Sequence, residues 1–216
     1  MWLTFGRNNL CSKVPSGPLK IKKFYLKYEK IFLVLLVAIV FSLVYFSINY
    51  LTSFRQTYAL GIFIDNLIPF LPLTIFIYQF TYVLWFLPYF LVKKIEPLRK
   101  LTWSYLTLIL ISGLVFLIFP VKVARPEIVG NGLVNWLVAT FYSLDLPYNA
   151  FPSIHASYTF LVGLFSFRYL KKLGLIIYLI TIFVIISTLT FKQHYFLDTA
   201  AGIILSMGTY FLFFRK

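Results

Sequence analysis

The chain contains two histidines, and each stands at the head of a run apolar enough to cross a membrane. His155 opens "FPSIHASYTFLVG", and His194 sits in "TFKQHYFLDTAAGI" with Asp198 four residues further on. On a helix, residues four apart share a face, about one turn from each other. A carboxylate beside one imidazole nitrogen fixes the tautomer and raises the basicity of the other nitrogen. That is the base–orienter half of a catalytic triad. An Asp near the end of a membrane span is costly unless partnered, which makes Asp198 a functional candidate.

Three further groups lie near the histidines in sequence. In "FPSIH", Pro152 suits the first turn of a helix and Asn149 or Ser153 can cap it. A helix start presents free N–H groups and the positive end of a dipole, an anion site beside His155. In "FPVKVARPEI", Arg125 offers a planar fork for two phosphate oxygens and Lys122 a point charge. In "STLTFKQH", Ser187 and Thr188 close an apolar run and Lys192 precedes His194, although hydroxyls in a span ordinarily bond back to their own helix. Singly, each piece also has a structural reading: a shielded carboxylate, a helix start, a loop arginine. Jointly they suit attack by one histidine on a phosphoryl group while the other protonates the leaving oxygen. The cations would stabilise charge on the equatorial oxygens.

These residues must be positioned by membrane helices. The 216 residues are 61% hydrophobic and 12% charged, with a mean hydropathy of +0.88, which places the chain among integral membrane proteins. A span needs about 20 apolar residues, and six segments qualify: 31–51, 71–92, 101–119, 152–167, 173–190 and 195–214. The fourth is short. The predicted architecture is an all-α bundle of six transmembrane helices over residues 31–216, preceded by a basic tail at 1–30. That tail includes an expected interfacial helix at 19–30. A second interfacial helix is expected at 132–144, inside the long 120–151 connection. The first apolar run starts late and is too long for a signal-peptide core. The single cysteine, Cys11, excludes an internal disulfide and reads as an inert tail thiol.

Charge sets the orientation. The formal charge is +14, yet all but four of the 20 lysines and arginines fall in segments that six spans put on one side. The positive-inside rule makes that side cytoplasmic, with both termini inside. Topology and anionic inner-leaflet lipid account for the charge, and nucleic acid is not needed. The four exceptions are Arg55, Lys122, Arg125 and Lys192. Three of them lie near the histidines, where an anionic ligand explains cations on the disfavoured side.

The order "ARP … PSIH … ST, five residues, H, three residues, D" resembles the type-2 phosphatidic acid phosphatase superfamily. "FPSIHA", "KQHYFLD" and "IDNLIPFLP" are similar to the branch that includes the inositol phosphorylceramide synthases and related bacterial lipid enzymes. The resemblance implies a metal-independent lipid phosphatase with no cofactor, a lipid phosphate as substrate and a bacterial inner membrane as location. It implies His194 as nucleophile, Asp198 as its orienter and His155 as general acid. Arg125, Ser153 and the backbone after it would hold the phosphate. Three positions depart from the family signatures. Ile118 stands where a Lys is expected, so either Lys122 substitutes or that contact is absent. Ile154 replaces a Gly. Thr188 replaces an Arg, whose charge Lys192 could restore.

Other readings use the same residues. A phosphotransferase would discharge the same phosphohistidine onto a lipid or sugar hydroxyl instead of water. A metal-binding or transport protein could use two His and one Asp as ligands for Zn or Fe. A scaffold leaves the placement of both histidines unexplained. The topology is checked by a cysteine placed in 120–151, which is expected to react with an impermeant thiol reagent in intact cells. Labelling only after lysis would overturn it.

Overall fold

The computed structural model describes residues 17–215. The expected tail and Cys11 therefore lie wholly or largely outside the described residues. Within them the chain is helical, with no strand beyond an isolated parallel bridge between Tyr58 and Val121. The elements are α1 (Gly17–Thr52), α2 (Phe63–Leu67), a 3-10 turn (Pro72–Thr74), α3 (Ile75–Leu91), α4 (Ile95–Ile118), α5 (Leu133–Leu144), α6 (Ile154–Tyr169), α7 (Lys171–Thr190) and α8 (Phe196–Phe214).

Among the described residues five helical segments are long and apolar enough to cross a membrane: Tyr28–Thr52, Pro72–Leu91, Ile95–Ile118, Lys171–Thr190 and Phe196–Phe214. Of the six segments expected, 152–167 falls short of that length, because α6 has 16 residues and rises about 24 Å at 1.5 Å per residue. The expected break near Ile31 is absent. Residues 19–30 continue into α1 because no Gly or Pro interrupts the chain from Leu19 to Thr52. The helix expected at 132–144 is α5, 12 residues long and too short to span.

The short helix sits at the centre. α6 packs against α3, α4, α7 and α8, while α1 lies outside against α4 and α3. Nearly every residue from Ile154 to Val162 is buried. A helix apolar on one side only would leave its polar side chains in hydrocarbon. In α6 three of them bond to neighbouring helices, Thr159 to Thr81 (2.7 Å) and Trp85 (3.2 Å), Ser157 to the Gly202 carbonyl (3.0 Å) and Tyr158 to the Tyr105 carbonyl (2.8 Å), while the buried Ser166 hydroxyl has no partner among the described residues. Small residues permit the close approach that such bonds require.

Contacts at the two ends sort the charge. At one end Arg99 pairs with Glu29 (2.6 Å) and Arg168 Nη1 donates to the Phe214 carbonyl (2.7 Å). At the other, Asn149 Nδ2 donates to the Tyr45 carbonyl (2.9 Å) and Leu71 N–H to the Thr190 carbonyl (2.9 Å). The histidines belong to the second end and the clustered cations at 93–100 and 168–172 to the first.

The α6–α8 crossing fixes the head of α6. A Cβ at Gly202 would meet the Ser153 carbonyl at 2.4 Å and the Ser157 hydroxyl at 3.0 Å. Gly202→Ala is expected to cost about 1–3 kcal/mol, the usual range for overpacking, read as a lower unfolding temperature in detergent. Gly208→Ala, where a Cβ meets nothing within 4 Å, is expected to be neutral or slightly stabilising. Equal melting of the two variants would show that this approach does not set the crossing.

Candidate active site

Two turns deliver the histidines. At the head of α6, Ser153 Oγ accepts the Ala156 N–H (3.1 Å), and the Ser153 N–H donates to the Asp198 carbonyl (2.9 Å). The N-cap is thereby tied to α8, and His155, at the second position of α6, is 2% exposed. Between α7 and α8 the Gln193 and His194 N–H groups both donate to the Thr188 carbonyl (3.0 and 3.3 Å). Lys192 takes a left-handed φ of 55° to make that turn. The start of α8 is held by two carboxylates. Asp198 Oδ2 accepts the Tyr195 N–H (2.8 Å), and Asp65 Oδ1 reaches from α2 to the Phe196 N–H (2.7 Å).

The two imidazoles meet directly. His155 Nδ1 lies 3.2 Å from His194 Nε2. The proton positions follow from partners that have only one role. His194 Nδ1 is 3.1 Å from the Ala150 carbonyl, which can only accept, so Nδ1 carries the hydrogen and neutral His194 presents a bare lone pair at Nε2. His155 Nδ1 must then donate to that lone pair. Its own Nε2 accepts from the Tyr78 hydroxyl (2.8 Å), with the Tyr82 hydroxyl at 3.4 Å. Asp198 Oδ2 is 3.8 Å from His194 Nδ1, within ion-pair range, while the Ala150 carbonyl makes the hydrogen bond.

The sequence-designated cations divide. Arg125 and Lys192 line a polar cavity of about 430 Å³ that His194 also lines, together with Asp65, Asn66 and Tyr195. Arg125 lies over the Tyr142 ring (4.4 Å) and donates through Nη1 to the Tyr142 (3.0 Å) and Asp145 (2.6 Å) carbonyls. Its Nη2 donates to Gln193 Oε1 (2.6 Å), and Nε is buried without a partner. Lys192 Nζ donates to the carbonyls of Asp65 (2.8 Å) and Ile68 (2.6 Å), leaving one of its three hydrogens for a ligand. Lys122 does not join this cavity; its ammonium lies 5.6 Å from the Tyr148 ring centroid. The Ser187 and Thr188 hydroxyls donate to the carbonyls of Val184 (2.6 Å) and Ile185 (2.7 Å), within their own helix. Ser153 is fully buried as a cap. Buried polar atoms without a partner in the described residues include Arg125 Nε, Gln193 Nε2 and Asp198 Oδ1, all at this site. In native structures such atoms call for a ligand or water.

A model described as the PAP2 superfamily matches residues 71–212, about two thirds of the chain. The chain belongs to the PAP2 superfamily. No curated protein and no solved structure matches it. PAP2 membership points to phosphatase-type chemistry, and the match runs from the turn before α3 through nearly all of α8, across both histidines. Among the described residues no three His, Cys, Asp or Glu side chains are disposed to hold a metal ion.

Sequence reasoning missed several parts of this PAP2 site. Tyr78 and Tyr82 lie 77 and 73 residues from His155 in the chain, inside an aromatic-rich helix where no spacing marks them. Gln193 was legible as the neighbour of His194, but its bond to Arg125 was not. The Ala150 carbonyl carries no side-chain signal at all. Asp65 belongs to a quoted motif, yet its capping of α8 depends on the fold.

The proton assignment has a direct check. Nitrogen NMR of protein labelled at both histidines is expected to show each in the Nδ1–H form. Tyr78→Phe is expected to leave His194 unchanged and to shift His155 Nε2 alone. A hydrogen on His194 Nε2 would reverse the assignment.

Proposed function

We propose that this PAP2 protein is a membrane lipid phosphatase working through a phosphohistidine at His194. The observation that carries this reading is the bare Nε2 of His194. The ring is held at Nδ1 by the Ala150 carbonyl, its Nε2 is faced by a donor on His155, and His194 lines the cavity that Arg125 and Lys192 also line. In the first step His194 Nε2 bonds to phosphorus, the P–O bond to the lipid alcohol breaks, and His155 Nδ1 gives its proton to the departing oxygen. In the second a water oxygen bonds to phosphorus, the N–P bond breaks, and the water proton returns to His155. To act as acid His155 takes a second proton, its Nε2–H then donating to Tyr78, with the anionic substrate as countercharge. Asp198 supports the imidazolium of His194, Arg125 Nε and Lys192 Nζ meet the phosphoryl oxygens, and no metal is required.

The resting pair is closed. A phosphorus about 3 Å from the nucleophile and a leaving oxygen about 2.8 Å from the acid do not fit into the 3.2 Å between the rings. Substrate entry therefore breaks the His155–His194 bond. A sixth crossing by the short α6, with the histidine end extracytoplasmic, is part of this reading, and the clustering of cations at the opposite end supports it. The transferase reading of the inositol phosphorylceramide synthase-like branch draws on one observation: Tyr82, whose hydroxyl lies 3.4 Å from His155 Nε2, also lines an apolar groove where a lipid hydroxyl could replace water.

The histidine roles separate by leaving group. His194→Ala is expected to abolish turnover and any trapped phosphoenzyme with every substrate. His155→Ala is expected to cripple hydrolysis of a lipid alcohol phosphate by on the order of a hundredfold or more, but to spare most activity on an activated aryl phosphate, whose leaving group needs little protonation. The ratio of the two activities in each variant is the measurement. Full activity in both variants would make the histidines structural.

A further inference from the structure

An apolar groove of about 310 Å³ lies beside His155, sharing Tyr82 and Trp85 with the surroundings of that ring. Its walls come from α1 (Val37 to Phe46), α3 (Tyr82, Trp85, Phe86) and the end of α5. Along that stretch α1 rises about 13 Å, which suits an alkyl chain and exceeds a compact headgroup. The volume is at the low end for a ligand pocket and holds one chain. Phe46 and Leu144 at its rim are 54% and 73% exposed, so it opens sideways onto hydrocarbon.

One carboxylate interrupts this apolar lining. Asp145 is nine-tenths buried, and its Oδ1 accepts the Tyr45 hydroxyl (2.9 Å). Its Oδ2 has no hydrogen-bond partner among the described residues. Burial pushes the carboxyl above its ordinary range, while Arg125 and the Tyr45 bond pull it back. Polar oxygen in such a setting is costly without a donor. The groove also touches the proposed chemistry, through the Tyr82 hydroxyl and through Trp85, whose ring centroid is 5.6 Å from that of His155.

We propose that this groove binds the alcohol half of the substrate and that Asp145 Oδ2 accepts a hydrogen bond from a free hydroxyl on it. The preferred substrates are then single-chain lipid phosphates with a hydroxyl beside the phosphoester. Fully acylated ones offer no such donor. The inference rests on the phosphohistidine reading, which puts the departing oxygen at His155.

The test compares the 1-monophosphate of hexadecane-1,2-diol with hexadecyl phosphate, which lacks the second hydroxyl. In the wild-type protein kcat/KM is expected to favour the diol phosphate by on the order of tenfold or more, the worth of a hydrogen bond to a charged group. In Asp145→Leu the ratio is expected to fall to near one. A wild-type ratio near one overturns the proposal without any variant, and so does an undiminished ratio in Asp145→Leu. A second arm does not depend on turnover. In His194→Ala protein in nanodiscs, an ω-brominated dodecane-1,2-diol is expected to quench tryptophan fluorescence more strongly than bromododecane, and Trp85→Phe to remove the difference. Equal quenching by the two probes overturns the groove. Selective quenching with no phosphatase activity keeps the groove and removes the phosphohistidine reading. Turnover with a ratio of one does the reverse.

Discussion

A hydrogen bond between two buried imidazoles, His155 Nδ1 to His194 Nε2, holds the site together and sets its chemistry. Imidazole can donate and accept at once, so one bond at each end decides every proton in the chain. The Ala150 carbonyl decides one end and the Tyr78 hydroxyl the other. The free lone pair on His194 Nε2 is thus imposed by the backbone, with the Asp198 carboxylate 3.8 Å from the opposite ring nitrogen. The donors and acceptors of the pair are thus fixed before any ligand arrives, although the two rings must part to admit one.

That bond needs the heads of α6 and α8 to lie side by side, and the membrane makes this possible. Packing of small residues and hydrogen bonding between helices drive association in lipid, where apolar contact alone gains little. α6 is short and central, and its Thr159 and Ser157 find partners on α3 and α8. Gly202 brings the α8 backbone to the α6 cap, and the Asp198 carbonyl accepts the Ser153 N–H across the same crossing. Asp198 therefore joins the two heads through its backbone while its side chain caps α8.

The cations at the site serve two roles. Arg125 and Lys192 are each tied to backbone carbonyls, which anchors the loops that carry them. Each keeps donor capacity beside His194. A fully free guanidinium would pay rotamer entropy when it captured a phosphate; one already fastened at Nη1 and Nη2 loses little.

Much of this was legible before any fold was known. Apolar run lengths mark the membrane helices, and cation clustering separates one end from the other, because hydrocarbon and membrane charge act on local composition. The spacing of His194 and Asp198 marks the third motif, and PSIH marks the helix start. Boundaries were less legible: α1 runs through Ile31, where composition changes but nothing stops a helix. The tertiary structure alone decided which ring nitrogen faces which partner and that Lys122 turns away to Tyr148. It alone brought Tyr78 and the Ala150 carbonyl to the histidines, Gln193 to Arg125 and Asp65 to the head of α8. Those contacts join residues up to 131 positions apart. Sequence composition and periodicity record what one helix needs from its solvent. Which side chains meet across helices is set by the packing of the whole bundle.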